Sequence, residues 1–262
     1  MIRVLMSGGG KMGRTIVDAL ETAEGIEPVA VVDGLARGNS FALSSGGMVP
    51  LYADAMAAID ATKPDVIIDF TNAAWTPVLV DAALERGVRM VIGTTGLSRE
   101  FVENLARRCG EKKVGAVLAA NFSLGAVLMM HMAKIAAPFF ESAEIIELHH
   151  AQKVDAPSGT SIATARGMLE ARGGRPFARN EPDATPVEGT RAGAVDGITI
   201  HSVRLPGYVA HQEVIFGAQG QTLTIRHDSN RESYIPGVLL AVRDVMSREG
   251  LVLGLDKLIG LG

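Results

Sequence analysis

The sequence contains a single cysteine, Cys109, in 262 residues. No disulfide can form within such a chain and no cysteine cluster can hold a metal ion, so we expect a protein of a reducing compartment. The hydrophobic fraction of 47% is enough for the core of one large domain or two smaller ones. The chain is therefore predicted to fold without covalent cross-links.

The sequence also lacks blocks of like charge. Its formal net charge is −4 and its isoelectric point is about 5.9. Nucleic-acid surfaces and membrane-binding faces are usually clusters of basic residues. The sequence therefore predicts neither nucleic acid nor membrane as a partner, and it favours a small molecule.

Long hydrophobic runs are absent as well. The apolar run at residues 1–6 meets a glycine turn at once, which leaves no room for the core of a signal peptide. The longest apolar helix candidate, residues 124–140, is interrupted by His131 and Lys134, so no segment is expected to span a bilayer. The predicted location is the cytoplasm.

Several histidines lie singly in predicted helices and strands: His131, His201, His211 and His227. No metal-ligand spacing joins them. We interpret them as structural residues, and no metal site is expected.

What the sequence does contain begins with a strand, a glycine turn and a helix. Gly8, Gly10 and Gly13 match the pattern G-x-G-x-x-G, in which glycines allow a tight turn, close approach to a pyrophosphate and close helix packing. Met12 stands where a nucleotide-binding P-loop would need Ser or Thr, which excludes that motif. Considered alone, the turn is also compatible with a purely structural role.

The next predicted strand, residues 27–32, ends at Asp33, twenty positions beyond Gly13. A carboxylate at this place accepts hydrogen bonds from the ribose hydroxyls of NAD and repels the extra phosphate of NADP. The glycine turn and the acid together favour a dinucleotide site.

Strands and helices continue to alternate up to residue 119. Continuous apolar strands separated by helices indicate a parallel sheet covered on both faces, and polar clusters after the strand ends lie where such sheets bind ligands. The predicted cofactor-binding residues are Gly8, Gly9, Gly10, Lys11, Met12, Gly13, Asp33, Phe70, Thr71, Gly93, Thr94, Thr95, Ala119, Ala120, Asn121 and Phe122.

The pattern changes after Asn121. Beyond a helix, a strand and a long loop at residues 171–197, three segments within 198–227 are predicted to form an antiparallel meander. A helix at 236–248 is expected to return to the first domain.

We therefore predict an α/β protein with two domains. The first has a Rossmann-like doubly wound parallel sheet and comprises residues 1–121 with 232–262. Residues 122–231 form an inserted α+β domain with a largely antiparallel or mixed sheet, expected to bind substrate and mediate oligomerisation.

Residues 147–161 connect the strand of the inserted domain to a helix. His149, His150 and Lys153 can each carry a proton or a positive charge, and the amides of residues 158–160 at the helix N-terminus can bind an anion. Lys153 could act as a general acid, because a lysine near other cations titrates closer to neutrality. The alternative is a hydrogen-bonded corner with a solvated lysine.

The string Glu-Leu-His-His-x-x-Lys-x-Asp-Ala-Pro-Ser-Gly-Thr resembles the signature of the 4-hydroxy-tetrahydrodipicolinate reductases of lysine and diaminopimelate biosynthesis. The likeness extends to residues 7–13, 69–71, 93–96 and 119–123. Ser7 departs from the family by standing at the first glycine of its turn, so the turn is expected to be redrawn around Gly8.

The resemblance implies an NAD(P)H-dependent oxidoreductase that transfers hydride to the substrate with loss of water and then protonates an enamine. It implies His149 and Lys153 as the acid–base pair. For the small dicarboxylate substrate it implies the binding residues His150, Lys153, Ser158, Gly159 and Thr160. It also implies a homo-oligomer, namely a tetramer formed through the second domain.

The resemblance leads to a further expectation about the cofactor. Gly34 follows Asp33 where many family members carry an arginine able to pair with a 2′-phosphate, so NADH should be used at least as well as NADPH. Two other functions stay open: a reductase of another small imino or keto acid, and a non-catalytic NAD-sensing regulator. The regulator should have lost the set of His149, His150 and Lys153, which this sequence retains.

Overall fold

A computed structural model describes residues 1–261 of the chain. The chain divides into two compact units, Met1–Leu124 with Glu232–Gly262 and Gly125–Arg231. In chain order the elements are β1 Ile2–Ser7, α1 Lys11–Thr22, β2 Ile26–Val32, β3 Ser40–Ala42, β4 Met48–Tyr52, α2 Ala55–Thr62, β5 Val66–Asp69, α3 Thr76–Glu85, β6 Arg89–Ile92, α4 Arg99–Lys112, β7 Gly115–Leu118, α5 Leu124–Ala136, β8 Ser142–His149, α6 Gly159–Ala171, β9 Gly193–Val195, β10 Ile198–Arg204, β11 Ala210–Ala218, β12 Gln221–Ser229, α7 Ile235–Val245, β13 Gly250–Leu253 and α8 Leu255–Leu258.

The first unit is built on a sheet whose strands follow the order β13-β7-β6-β5-β1-β2-β4-β3. The pairs from β13 to β4 are parallel and only the short pair of β3 with β4 is antiparallel. Its central strands are buried apolar runs, because helices cover both faces of such a sheet. The predicted doubly wound parallel sheet is confirmed.

The sequence did not predict three strands of this sheet. β3 is only three residues long and β4 contains Pro50, so neither shows a clear strand pattern. β13 starts at Gly250, two residues after the end of the predicted helix at 236–248, and no strand was predicted there. The parallel pairing of β13 with β7 places the C-terminal segment in the first unit. The helix that precedes β13, α7, was expected to return to this unit.

The second unit has a mixed sheet with the order β12-β11-β8-β10-β9. β8 is central, pairing parallel with β10 and antiparallel with β11. The predicted mixed α+β domain is confirmed. Of the predicted meander, β11 and β12 do pair antiparallel, but β10 and β11 lie on opposite sides of β8, so their predicted pairing is wrong. Alternation identifies strands without identifying their neighbours. The predicted loop at 171–197 also contains β9, which adds an antiparallel edge to β10.

The link between β10 and β11 passes the C-terminal end of β8. There the amide of Leu205 donates to the carbonyl oxygen of His149 at 3.1 Å. Parallel pairing with β8, which sets Arg204 opposite His149, brings the end of β10 beside the predicted catalytic turn. Among residues 1–261, no helix is long and apolar enough to cross a membrane.

Candidate functional site

The glycine turn between β1 and α1 has the geometry that its pattern predicts. Gly8 has φ +96°, a backbone conformation that favours glycine. A Cβ atom on Gly13 would lie 1.8 Å from the carbonyl oxygen of Gly8, so the first turn of α1 packs directly against the strand end. Both glycines are therefore required by the backbone path.

The N-terminus of α1 has amide groups suited to a phosphate. Within the described residues no side chain caps this helix at Gly10, whereas Asp54 caps α2 and Ser98 caps α4. A Cβ on Gly10 would meet no heavy atom within 4 Å among the residues described. Helix N-termini of this kind bind pyrophosphate through backbone amides and the helix dipole.

Asp33 follows β2 and its carboxylate is held in one orientation. Oδ2 accepts from the amide of Gly9 and Oδ1 accepts from the amide of Leu35, both at 2.9 Å. The first of these bonds ties the acid to the glycine turn. The arrangement fits a ribose whose hydroxyls donate to a carboxylate beside the pyrophosphate site.

Ser7 does not obstruct the glycine turn. Its side chain is buried and its hydroxyl donates to Oδ1 of Asp69 at 2.9 Å. Asp69 is 0% exposed and, in the part of the chain described, accepts from further hydroxyls of Thr71, Thr76 and Thr94 at 2.6–2.9 Å. Hydrogen bonds of this number stabilise a buried carboxylate. Asp69 thus joins the ends of β1, β5 and β6 into one rigid rim.

The remaining predicted cofactor residues follow the ends of β5, β6 and β7. Phe122 is fully buried and its ring lies 5.5 Å from that of Phe70. A Cβ on Gly93 would lie 2.3 Å from the Phe70 ring, so Gly93 makes room for that ring. Phe70 is half-buried, so its ring remains partly open to solvent. Lys11, Thr95 and Ala120 are exposed, Met12 and Asn121 are half-buried, and Ala119 is buried.

In the second unit, β8 ends in a polar cluster around Glu147. The carboxylate of Glu147 is 0% exposed and accepts two hydrogen bonds from the guanidinium of Arg204, at 2.9 and 2.8 Å. Nδ1 of His149 also bonds to Glu147, and it must donate because an ionised carboxylate only accepts. This bond fixes the imidazole so that Nε2 is the atom left to exchange a proton.

The charges in this cluster set the protonation of its members. Burial alone would raise the pKa of Glu147, but hydrogen bonds from Arg204, Ser202 and His149 outweigh it and lower that pKa. Burial lowers the pKa of His149, the bond to Glu147 opposes this, and the charges of Lys153 and Arg204 add to the lowering. Glu147 stays ionised and protonated His149 is a readier proton donor than a free imidazolium.

Lys153 lies on the turn that follows β8. Its amide donates to the carbonyl oxygen of His150 at 3.1 Å, and its ammonium pairs with Asp155 at 2.6 Å. Arg204 donates to the carbonyl oxygen of Asp155 at 2.6 Å, which ties this turn to the Glu147 cluster. His149, His150 and Lys153 are therefore brought together at the end of one strand.

The N-terminus of α6 follows the same turn. Ser158 caps the helix: its hydroxyl accepts a hydrogen bond from the amide of Ser161. This cap does not use the amides of Gly159 and Thr160. The Ser161 hydroxyl donates to Gln212 on β11 at 2.7 Å, and Gln212 donates to Thr164 at 2.9 Å. These buried bonds fix the helix start on the sheet, as an anion site at a helix N-terminus requires.

Comparison with known proteins identifies the family. A family model described as dihydrodipicolinate reductase, N-terminus, matches residues 2–122, and one described as dihydrodipicolinate reductase, C-terminus, matches residues 125–259. The chain belongs to the dihydrodipicolinate reductase family.

Individual members of this family are similar over nearly their whole length. The 4-hydroxy-tetrahydrodipicolinate reductase of Dehalococcoides mccartyi is 47% identical, covering 99% of each chain, and that of Moorella thermoacetica is 47% identical, covering 98% of each. A dipicolinate-bound dihydrodipicolinate reductase from Paenisporosarcina sp. TG-14 superposes with a TM-score of 0.87 at 41% identity, covering 98% of this chain and 99% of that one. The resemblance inferred from the sequence is confirmed.

Sequence reasoning gave no role to several residues of these two clusters. The role of Glu147 could have been found from the sequence, because it is a charged residue on the core-facing side of an apolar strand. A charge in such a position is stable only when it is paired. The same holds for Asp69 at the end of β5. Arg204 and Gln212 carried no such signal, because their partners come from strands whose pairing the sequence did not show.

None of the described residues form a group of three or more His, Cys, Asp or Glu side chains able to hold a metal ion. His201 instead bonds Glu144 and His211 bonds Asp228, each across neighbouring strands. These partners give both histidines structural roles in the second sheet.

Proposed function

We propose that the chain catalyses NAD(P)H-dependent reduction of 4-hydroxy-tetrahydrodipicolinate to tetrahydrodipicolinate, a step of lysine and diaminopimelate biosynthesis. The observation that carries this proposal is the cluster at the end of β8, where His149 is bonded to buried Glu147 and Lys153 precedes the open helix start of α6. The cluster combines a proton donor, a cation and an anion-binding helix terminus. The relatives named for this reaction, one of them with bound dipicolinate, support the same substrate class.

The first unit is proposed to hold the dinucleotide. The amides at Gly10 and Lys11 would bind its pyrophosphate, Asp33 would accept from a ribose, and Phe70 would border its nicotinamide end. The reduced nicotinamide supplies a hydride. The Asp69 network keeps the loops after β1, β5 and β6 in fixed positions, so little ordering is needed when the cofactor binds.

The second unit is proposed to bind the dicarboxylate and handle the proton. The amides of Gly159 and Thr160, with the Ser158 cap, would hold one carboxylate, and His150 would contact the substrate. Lys153 would pair with a carboxylate and act with His149 as the acid–base pair. His149 would give its proton from Nε2, since Nδ1 is bonded to Glu147.

Two other functions make different predictions. A reductase of another imino or keto acid would use the same residues, so only substrate tests separate it. A non-catalytic NAD-sensing regulator would have no need for an ionised carboxylate buried behind His149. The intact Glu147 cluster therefore favours turnover.

A coupled assay tests the proposed function. The preceding synthase generates the unstable substrate in place, and NADH oxidation is followed by absorbance. We expect oxidation that depends on the synthase, on its substrates and on this chain, with His149→Ala as a catalytically impaired comparison. NADH oxidation with another imino or keto acid, but not with the synthase product, would support a reductase of that other acid. No oxidation with any of these acids would support the non-catalytic regulator.

The cofactor preference is the first quantitative prediction. We propose that NADH is used at least as well as NADPH, because Asp33 presents a fixed carboxylate and Gly34 supplies no cation for a 2′-phosphate. The exposed residues Arg37 and Lys11 limit the size of the preference. The measurement is kcat/KM for each cofactor at saturating substrate. A value about tenfold or more in favour of NADPH would contradict the prediction, since tenfold corresponds to about 1.4 kcal/mol.

Oligomerisation is the second prediction. Ile146, Leu148, Val203 and Ile215 lie on the face of the second sheet opposite its buried core residues, and each is half-buried in the single chain. Glu144, His201 and Glu213 lie between them on the same face, and apolar residues grouped on an open sheet face are usually covered in soluble proteins. We propose that copies of the chain pack through this face as a homotetramer.

Light scattering at micromolar concentration should show a species well above 27.5 kDa. Ile215→Glu should shift it towards the monomer, whereas Val78→Glu, at an exposed position of α3, should not. A wild-type sample containing only the monomer would refute the interface.

A further inference from the structure

Trp75, the single tryptophan of the chain, lies beside the predicted adenosine site. A Cβ atom on Gly34 would lie 2.8 Å from Cζ3 of the indole and 3.2 Å from Cε3. Real Cβ atoms do not approach ring carbons this closely, so the ring occupies the space that any side chain at position 34 would need. Position 34 directly follows Asp33, the acid placed for the ribose.

The indole is held at both ends. Its Nε1–H donates to the hydroxyl of Ser7 at 3.0 Å, and that hydroxyl donates in turn to buried Asp69 at 2.9 Å. The backbone amide of Trp75 donates to Oδ1 of Asn72 at 3.0 Å, at the start of α3. The ring also packs against the core of the first unit. A ring anchored in this way cannot swing aside without breaking its hydrogen bond to the buried Ser7 side chain.

Ser7 thereby has a role that a glycine could not have. Its hydroxyl is the acceptor that orients the indole, and the indole in turn excludes a side chain from position 34. The amides of Gly9 and Leu35 fix the carboxylate of Asp33. The proposed ribose site is therefore bordered by this carboxylate and by the apolar ring of Trp75. A 2′-phosphate there would face negative charge without a cation from position 34.

We infer that Trp75, anchored by Ser7 and facing Gly34, is a specificity-determining residue that borders the adenosine of the cofactor and selects the ribose without a 2′-phosphate. The inference rests on the proposed use of a nicotinamide dinucleotide and extends it to residues outside the glycine turn. It also explains why glycine occupies position 34: arginine cannot be introduced there while the indole is in place.

Intrinsic fluorescence tests the location of the ring. Since Trp75 is the single tryptophan, emission excited selectively in the indole band, where the three tyrosines do not absorb, reports on this position alone. Titration with ADP should change the emission with the same midpoint as calorimetric titration. Adenosine 2′,5′-bisphosphate should bind at least about tenfold more weakly than AMP, which carries the same single 5′-phosphate, a difference of about 1.4 kcal/mol. Binding of ADP by calorimetry without any change in emission would overturn the inference.

A double-mutant cycle tests the contact with position 34. Gly34→Ala should weaken ADP in the wild-type background, because the new Cβ displaces the ring, and should be nearly silent in Trp75→Ala. Gly34→Arg should improve binding of adenosine 2′,5′-bisphosphate relative to AMP by about 10- to 100-fold, but only when Trp75 is also replaced. This size follows from the usual strength of hydrogen bonds to charged groups. Gly110→Ala, at a helical glycine with open space around its Cβ, is the matched control.

Circular dichroism should first show that each variant is folded. If Trp75→Ala is not, Trp75→Leu retains part of the core packing and takes its place in the cycle. Equal effects of Gly34→Ala or Gly34→Arg in both backgrounds would overturn the inference. These readouts need no dicarboxylate: a chain that passes them without reductase activity fails only the proposed function. A chain that reduces the substrate with NADH but does not show these binding effects would support the proposed function and contradict the inference. A chain that binds neither ADP nor NADH would contradict both.

Discussion

Lys153→Ala is expected to lose both turnover and substrate affinity while binding NADH almost as before. Loss of general acid catalysis typically lowers the rate by about 10²–10⁴-fold, and leaving a buried substrate charge unpaired costs about 2–5 kcal/mol. The Lys153 side chain is 21% exposed and its ammonium pairs with Asp155 at 2.6 Å. NADH binding should be retained because the dinucleotide is assigned to the first unit.

The measurement is steady-state kinetics combined with calorimetric titration of NADH. His149→Ala should mainly lower turnover, since its proposed role is the proton and not the carboxylate. Lys134→Ala, which removes an exposed lysine of the same unit, should change neither quantity. Wild-type turnover in Lys153→Ala, or an equal loss of NADH and substrate binding, would show that the role assigned to this residue is wrong.

The fold was predictable where local pattern determines it. The βα alternation and the glycine turn with Asp33 indicate a parallel sheet because each signal lies within a short stretch of chain. The position of β8 between β10 and β11 was not predictable, since it depends on how strands distant in sequence share one core. The mistaken pairing of β10 with β11 follows from assuming that consecutive strands are neighbours, which is true only as a tendency.

The same distinction applies to the two sites. Residues 149–160 lie within a single turn and helix start, so the chemistry proposed for them could be predicted from their types and order. Arg204 meets Glu147 from 57 positions away, and Ser7 meets Trp75 from 68. These contacts decide how His149 is oriented and what space adjoins Asp33. Only the folded chain shows them, because nothing in the local sequence specifies either partner.

Glu147→Gln is expected to destabilise the chain and impair catalysis through two separable effects. The carboxylate is 0% exposed and pairs with Arg204, and removing one partner of a buried ion pair typically costs about 3–5 kcal/mol because the other charge is left uncompensated. Glu27→Gln is a matched control on a strand of the first unit. Its side chain is 41% exposed and pairs with Arg3, so its replacement should cost less than about 1 kcal/mol.

The catalytic effect should appear in the pH dependence of turnover. If protonated His149 donates the proton, kcat falls as pH rises through its pKa. The carboxylate of Glu147 raises that pKa against burial, so Glu147→Gln should move the falling limb to lower pH. Adding Arg204→Leu removes the uncompensated guanidinium and should restore much of the free energy of unfolding, while turnover stays low because Nδ1 of His149 still lacks its carboxylate. Recovery of turnover together with stability in the double variant would mean that Glu147 acts only in folding and does not position His149.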